Sequence, residues 1–126
     1  VYSQRELDRL FAAIDAKDAE AFASFIREDG RFVYGSLMDV VGREAIEQAV
    51  AGFFSTLTSL SHANIQAWDG GDGRTQFVYG EVHYVLPNGR YVDAAFLNRF
   101  VFDGKLVAHY HVFTDPTPLI QAAQGE

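Results

Sequence analysis

The sequence predicts an α+β fold. Two observations carry that expectation. Apolar residues recur at helical spacing through the first half of the chain and at a spacing of two through the second. Turn signals then divide the second half into strands with short connections, the pattern of an antiparallel meander and not of a wound parallel sheet. The expected order is helix, helix, strand, helix and four strands, in one domain over residues 1–126.

Ser3 and Glu6 form a capping-box signature ahead of Leu7, Leu10, Phe11 and Ile14, which share one helix face. Asp15 to Asp18 reads as a turn, and Asp18 can cap a second short helix that buries Ala19, Phe22, Phe25 and Ile26. Glu28-Asp29-Gly30 stops it. Arg31 to Tyr34 reads as a strand, and Ser36 to Val41 as an irregular connection. Gly42 precedes the clearest helix, with Ile46, Ala49, Val50, Phe53, Phe54 and Leu57 at three- and four-residue intervals. Strands follow at Ser61–Trp68, Gln76–Leu86, Tyr91–Phe102 and Leu106–Phe113. They are joined by a glycine-rich turn, by Asn88-Gly89 and by Asp103-Gly104. Asp115-Pro116-Thr117-Pro118 is expected to end regular structure.

Composition removes several function classes. The chain has no cysteine, so disulfide scaffolds, thiolate metal sites and cysteine nucleophiles are excluded. A net charge of −7 argues against nucleic-acid and anionic-membrane partners. Gly70-Gly71-Asp72-Gly73 joins two strands and opens no helix, so it is not a phosphate cradle. The opening VYSQRELDRL has neither the basic nor the apolar segment of a signal peptide, and a cytoplasmic location is the expectation. A start at Val1 instead of Met leaves a longer native chain open.

The order of elements resembles the SnoaL-like branch of the nuclear transport factor 2-like superfamily. The resemblance rests on Ile14-Asp15-Ala16-Lys17-Asp18, Gly42-Arg43-Glu44-Ala45-Ile46 and the Asn88-Gly89 hairpin. Phe102 to Leu106, Tyr110 and the closing Thr114 to Leu119 complete it. It implies a strongly curved antiparallel sheet wrapped around about three N-terminal helices, a cone with an apolar pocket. It also implies a homodimer through the outer sheet face, where Leu97, Val101, Tyr110 and Val112 are expected. Neither cofactor nor metal is expected.

The superfamily hosts ketosteroid isomerases, polyketide cyclases, limonene epoxide hydrolases and scytalone dehydratases, so fold does not select a reaction. The carboxyl base of the isomerases falls at Tyr34, their oxyanion-hole Asp at Asn98 and their helix-one Tyr at Leu10. The last-strand Asp of the epoxide hydrolases falls near His111. His62, His83 and Asn98 stand where scytalone dehydratases carry two histidines and an Asn, but the helix-one Asp falls at Ala12 or Ala13.

The residues themselves direct attention to four strand histidines: His62, His83, His109 and His111. Counting faces back from the Asp103-Gly104 turn, and using the resemblance for direction, places Asn98, His109, His111 and Phe113 inward. If Phe77, Tyr79, Glu81 and His83 also face inward, Glu81, His83, Asn98, His109 and His111 converge on one cavity. His111, His83 and Glu81 would then share proton transfer, with Asn98 and Tyr34 orienting an oxygen. His109, His62, Phe96, Phe100 and Phe113 would line the site for a small apolar ligand. The competing readings keep the strand histidines as packing groups and Glu81 as a surface ion-pair partner. His109-x-His111 has metal-ligand spacing, with His83 or Glu81 available as a third ligand. At the level of the whole protein, an acid–base enzyme stands against a ligand-binding module and a pure dimerisation domain.

Overall fold

The computed structural model describes residues 1–125. The capping box forms as the sequence predicts. Ser3 Oγ accepts the Glu6 N–H, and the Glu6 carboxylate accepts the Ser3 N–H, which starts α1 (Gln4–Asp15). The helix ends in a Schellman motif. The Asp18 N–H reaches Ala13 O at 3.0 Å and the Lys17 N–H reaches Ile14 O at 2.8 Å. Lys17 holds the left-handed position at φ 55°, where glycine is usual. Its ammonium donates to Leu57 O at 2.8 Å, which pins the turn. Asp18 then caps α2 (Ala19–Ala23) through the Ala21 N–H.

The remaining elements are β1 (Ile26–Tyr34), β2 (Met38–Val41), α3 (Arg43–Ser55), β3 (Ser59–Asp69), β4 (Thr75–Val85), β5 (Tyr91–Asp103), β6 (Leu106–Phe113) and α4 (Thr117–Ala123). The six strands form one curved, unclosed sheet in the order β2-β1-β6-β5-β4-β3. The predicted meander is β3 to β6, antiparallel throughout. Three features depart from the sequence reading. β1 begins at Ile26 and runs parallel to β6, so the sheet is mixed. The stretch read as irregular contains edge strand β2, tied to β1 by Arg31 and Asp39. The Pro-rich end starts α4, because a proline in the first turn removes no helical hydrogen bond. No helix among the described residues is long and apolar enough to cross a membrane.

Helices and the inner sheet face share one apolar core. Phe100 is fully buried, in edge contact with Tyr2, Phe102 and Tyr110 at centroid distances of 5.8, 6.0 and 4.5 Å. Tyr2 is held there by both ends of the Gln76 amide at 3.0 Å. Gly80 is required by close packing. A Cβ on it would lie 2.5 Å from Phe96 Cζ and 2.6 Å from Ile65 Cδ1, so glycine lets Phe96 lie over the sheet.

A bulge sets which side chains face the helices. Phe102 pairs with Val107, but Val101 pairs with His109, so Ala108 is an extra residue on β6. Below the bulge Val107 faces the core. Above it the inward residues are Tyr110 and Val112, 2% and 7% exposed. Counting from the turn without the bulge inverts β6. His109, His111 and Phe113 therefore face outward, and Tyr110 and Val112 leave the outer face to which the sequence assigned them.

Candidate functional site

An apolar cavity lies between the inner sheet face and the three N-terminal helices. About 60 Å³ of it is open to the centre of a water molecule. Phe11, Phe22, Phe32, Phe53, Phe54, Phe96, Tyr110 and Val112 are among the residues of its wall. His62, Asn98, Tyr34, Tyr84 and Thr114 supply its polar groups.

The structure therefore brings together four of the ten predicted site residues: His62, Asn98, Tyr34 and Phe96. Phe100 also faces inward, but it lies in the aromatic core beyond the cavity wall. Glu81, His83, His109, His111 and Phe113 do not reach the cavity, which corrects the predicted convergence. On β4 the inward residues are Val78, Gly80, Val82 and Tyr84, so Glu81 and His83 face outward. His83 Nδ1 lies 2.6 Å from Asp93 Oδ1, and Glu81 accepts from the Asn64 amide. On β6 the His111 ring stacks on Phe113, with centroids 3.8 Å apart. Asp39 receives two bonds from Arg31, at 2.8 and 2.7 Å. Among the described residues no group of three His, Asp or Glu side chains is placed to hold a metal ion.

Sequence reasoning missed Asp15 and Tyr84. Asp15 Oδ1 lies 2.5 Å from His62 Nδ1, and Asp15 Oδ2 accepts the His62 backbone N–H at 3.0 Å. Both carboxylate oxygens thus hold one residue. The His62 ring packs between Phe11 and Phe96 at 4.9 and 5.5 Å, and its side chain is 9% exposed. Asp15 closes α1 at the point where the Schellman turn begins, which is how a helix end comes to face the first long strand. Across the cavity, Tyr34 Oη and Tyr84 Oη are 2.6 Å apart. Burial raises both phenols above their ordinary range, so the pair is neutral at physiological pH.

The outer histidines have a different role. Burial first, then the Arg31 and Arg99 charges, hold His109 and His111 below the ordinary imidazole value of 6.5. A histidine depressed in the folded state contributes stability above its unfolded value and loses it as the pH falls. We expect the urea midpoint to drop between pH 7.5 and 5.5. Substituting His109→Gln and His111→Gln together should flatten that drop. An unchanged midpoint in the wild type would contradict this.

A sheet curved around three helices over an apolar cavity is the cone fold of nuclear transport factor 2-like proteins. The chain matches the SnoaL-like domain family over residues 7–110 and belongs to it. It is similar to a candidate polyketide cyclase from Xanthomonas campestris pv. campestris, at TM-score 0.81 and 15% identity over 93% of each chain. It is also similar to a candidate isomerase from Bacillus subtilis, at TM-score 0.84 and 16% identity over 95% of this chain and 91% of that one. A third likeness, to a ketosteroid isomerase-like fold protein from Catenulispora acidiphila, has TM-score 0.78 and 13% identity over 89% and 86% of the two chains. At these identities the likeness carries the fold alone. No curated protein matches the chain in sequence.

Proposed function

We propose that the protein is a cofactor-free enzyme that moves a proton on a small apolar ligand, with His62 as base and Asp15 as its positioning residue. The observation that carries this is the Asp15–His62 pair, whose imidazole lines an apolar cavity. An ionised carboxylate only accepts hydrogen bonds, so it fixes the imidazole proton on Nδ1 and leaves the Nε2 lone pair for the ligand. When Nε2 takes a proton from a ligand carbon, the C–H electron pair stays on the ligand and an imidazolium forms. That positive charge lies beside the Asp15 carboxylate and at the C-terminal end of α1, and both favour it. In the tyrosine pair one hydroxyl donates to the other, so one O–H proton remains to steady an oxygen on which charge develops. Return of the proton to another carbon completes an isomerisation, and departure of a leaving group completes an elimination. Asp15 also supplies the helix-one acid that alignment against Ala12 or Ala13 leaves out.

Ring opening of 1,2-benzisoxazole to 2-cyanophenolate is a direct test, because it needs only a base in an apolar site. The wild type should show saturable turnover, and His62→Gln should lose about 10²–10⁴ of it. Equal turnover by the variant removes His62 as the base. Saturable ligand binding without turnover in the wild type would favour a binding module.

We also propose that two copies pair through the outer sheet face, where Leu97 and Phe113 are 38% and 47% exposed beside half-buried Phe77, Tyr79 and Val101. Sedimentation at micromolar concentration should report twice the chain mass, and a monomer mass would remove this proposal.

A further inference from the structure

We infer that the cavity selects a compact, neutral ring molecule bearing a hydrogen-bond donor, a hydroxyl or an N–H, which Asn98 Oδ1 accepts. This rests on the cavity being the ligand site, as proposed above, and is independent of whether turnover occurs there.

Asn98 sits on the inner face of β5 and is 1% exposed. Among the described residues its Oδ1 is buried and has no hydrogen-bond partner. A buried acceptor left unsatisfied is costly, because it gives up its hydrogen bonds to water and gains none in return. The immediate neighbours of Asn98 on this face of the sheet are apolar. Phe96 and Phe100 flank Asn98 on the same face of β5, and Val78 and Val112 lie across from it on the adjacent strands. Two other buried polar atoms are orphaned, Tyr2 Oη and His109 Nε2, but neither residue lines the cavity. Among the described residues Asn98 Oδ1 is thus the lining acceptor that is both fully buried and unmet, and an acceptor recognises a donor.

The other polar groups narrow the class. The tyrosine hydroxyls bond one another and keep one O–H as a donor, and Asp15 already holds Nδ1 of His62. No lysine or arginine lines the wall, so a carboxylate or phosphate would enter without a counter-charge. The cavity is small, with about 60 Å³ open to water centres, which favours a compact molecule over a large multi-ring skeleton. A small phenol, a cyclic hydroxyketone or a lactam meets all three conditions.

Phenol, toluene, anisole and benzoate separate the alternatives by calorimetric titration of the wild type. Toluene matches phenol in shape and lacks the polar group, and anisole keeps the oxygen but not the donor. Phenol should bind at least about tenfold tighter than either, because a site built around a hydrogen bond rejects the analogue that lacks it. Benzoate should bind more weakly than phenol. In Asn98→Leu the phenol–toluene gap should close to within about twofold while toluene still binds, since a tenfold preference is about 1.4 kcal/mol. The inference is overturned if phenol and toluene bind equally, if anisole or benzoate matches phenol, or if none of the four binds. The wild-type series decides the matter even if the variant does not fold. Phenol selectivity without benzisoxazole turnover removes the catalytic reading and keeps this one. Turnover without selectivity does the reverse.

Discussion

Asp15→Asn should lower benzisoxazole turnover about 10²–10⁴-fold and leave the fold intact. The argument is one of hydrogen-bond bookkeeping. In the native pair, one Asp15 oxygen accepts the His62 backbone N–H at 3.0 Å and the other meets Nδ1 at 2.5 Å. An asparagine has one oxygen and one NH₂ to put in those two places. The backbone N–H can only donate, so it takes the oxygen. The NH₂ then faces Nδ1, which must become an acceptor. The imidazole proton moves to Nε2, and the base is blocked although every heavy atom stays in place. Asp15→Ala leaves the tautomer free, so it should lose less activity than Asp15→Asn. Nitrogen NMR of the His62 ring reads the tautomer directly, and a merely structural role for Asp15 would not move it. His83→Gln and His111→Gln, on the outer face, should keep the wild-type rate. An Asp15→Asn enzyme with full turnover, or an unshifted tautomer, would refute the pairing.

Phe100→Ala should destabilise the protein by about 3–5 kcal/mol. Phe100 is the junction between the N-terminal residues and the floor of the sheet. It touches Tyr2, Phe102 and Tyr110, and its removal leaves a cavity that two rings on paired strands and one held by the Gln76 amide cannot refill. Against a total stability of about 5–15 kcal/mol, such a loss is large. In urea the midpoint should fall sharply with the slope unchanged. A shift below about 1 kcal/mol would mean that the cluster collapses freely and that close packing there has been overstated.

The starts of the first three helices, the period change and the hairpin turns were legible in the sequence because each depends on neighbouring residues. Ser3 needs only Glu6, and Asn88-Gly89 needs only its own turn. The site was less legible. His62 was singled out from its strand position, but its partner was read as a turn residue, because the Asp15–His62 contact spans 47 residues and no local pattern announces it. Asn98 and Tyr34 were found on family position and parity, and β5 keeps strict alternation across the cavity. His109, His111 and Phe113 were misplaced by one unsignalled bulge. Glu81 and His83 were misplaced because β4 carries aromatic residues on both faces, Phe77 and Tyr79 outside and Tyr84 inside, so alternation of polarity gave no direction. β1 was shortened because Glu28-Asp29-Gly30 reads as a helix stop; Glu28 and Asp29 are exposed, on a stretch of strand that shows no apolar alternation.

The extra residue at Ala108 has a consequence for how such cavities change. Side-chain direction in a strand has only two settings, and a bulge exchanges them for everything downstream. Pairing the same strand without the bulge, Ala108 against Val101, would not soften the lining by degrees. It would present imidazole, imidazole and phenyl where a phenol and an isopropyl group now stand, with no residue altered along the strand. Deleting Ala108 would instead join Val107 to His109 in the present register and keep Tyr110 and Val112 inside. The chemical character of this chamber is therefore a matter of phase as well as composition.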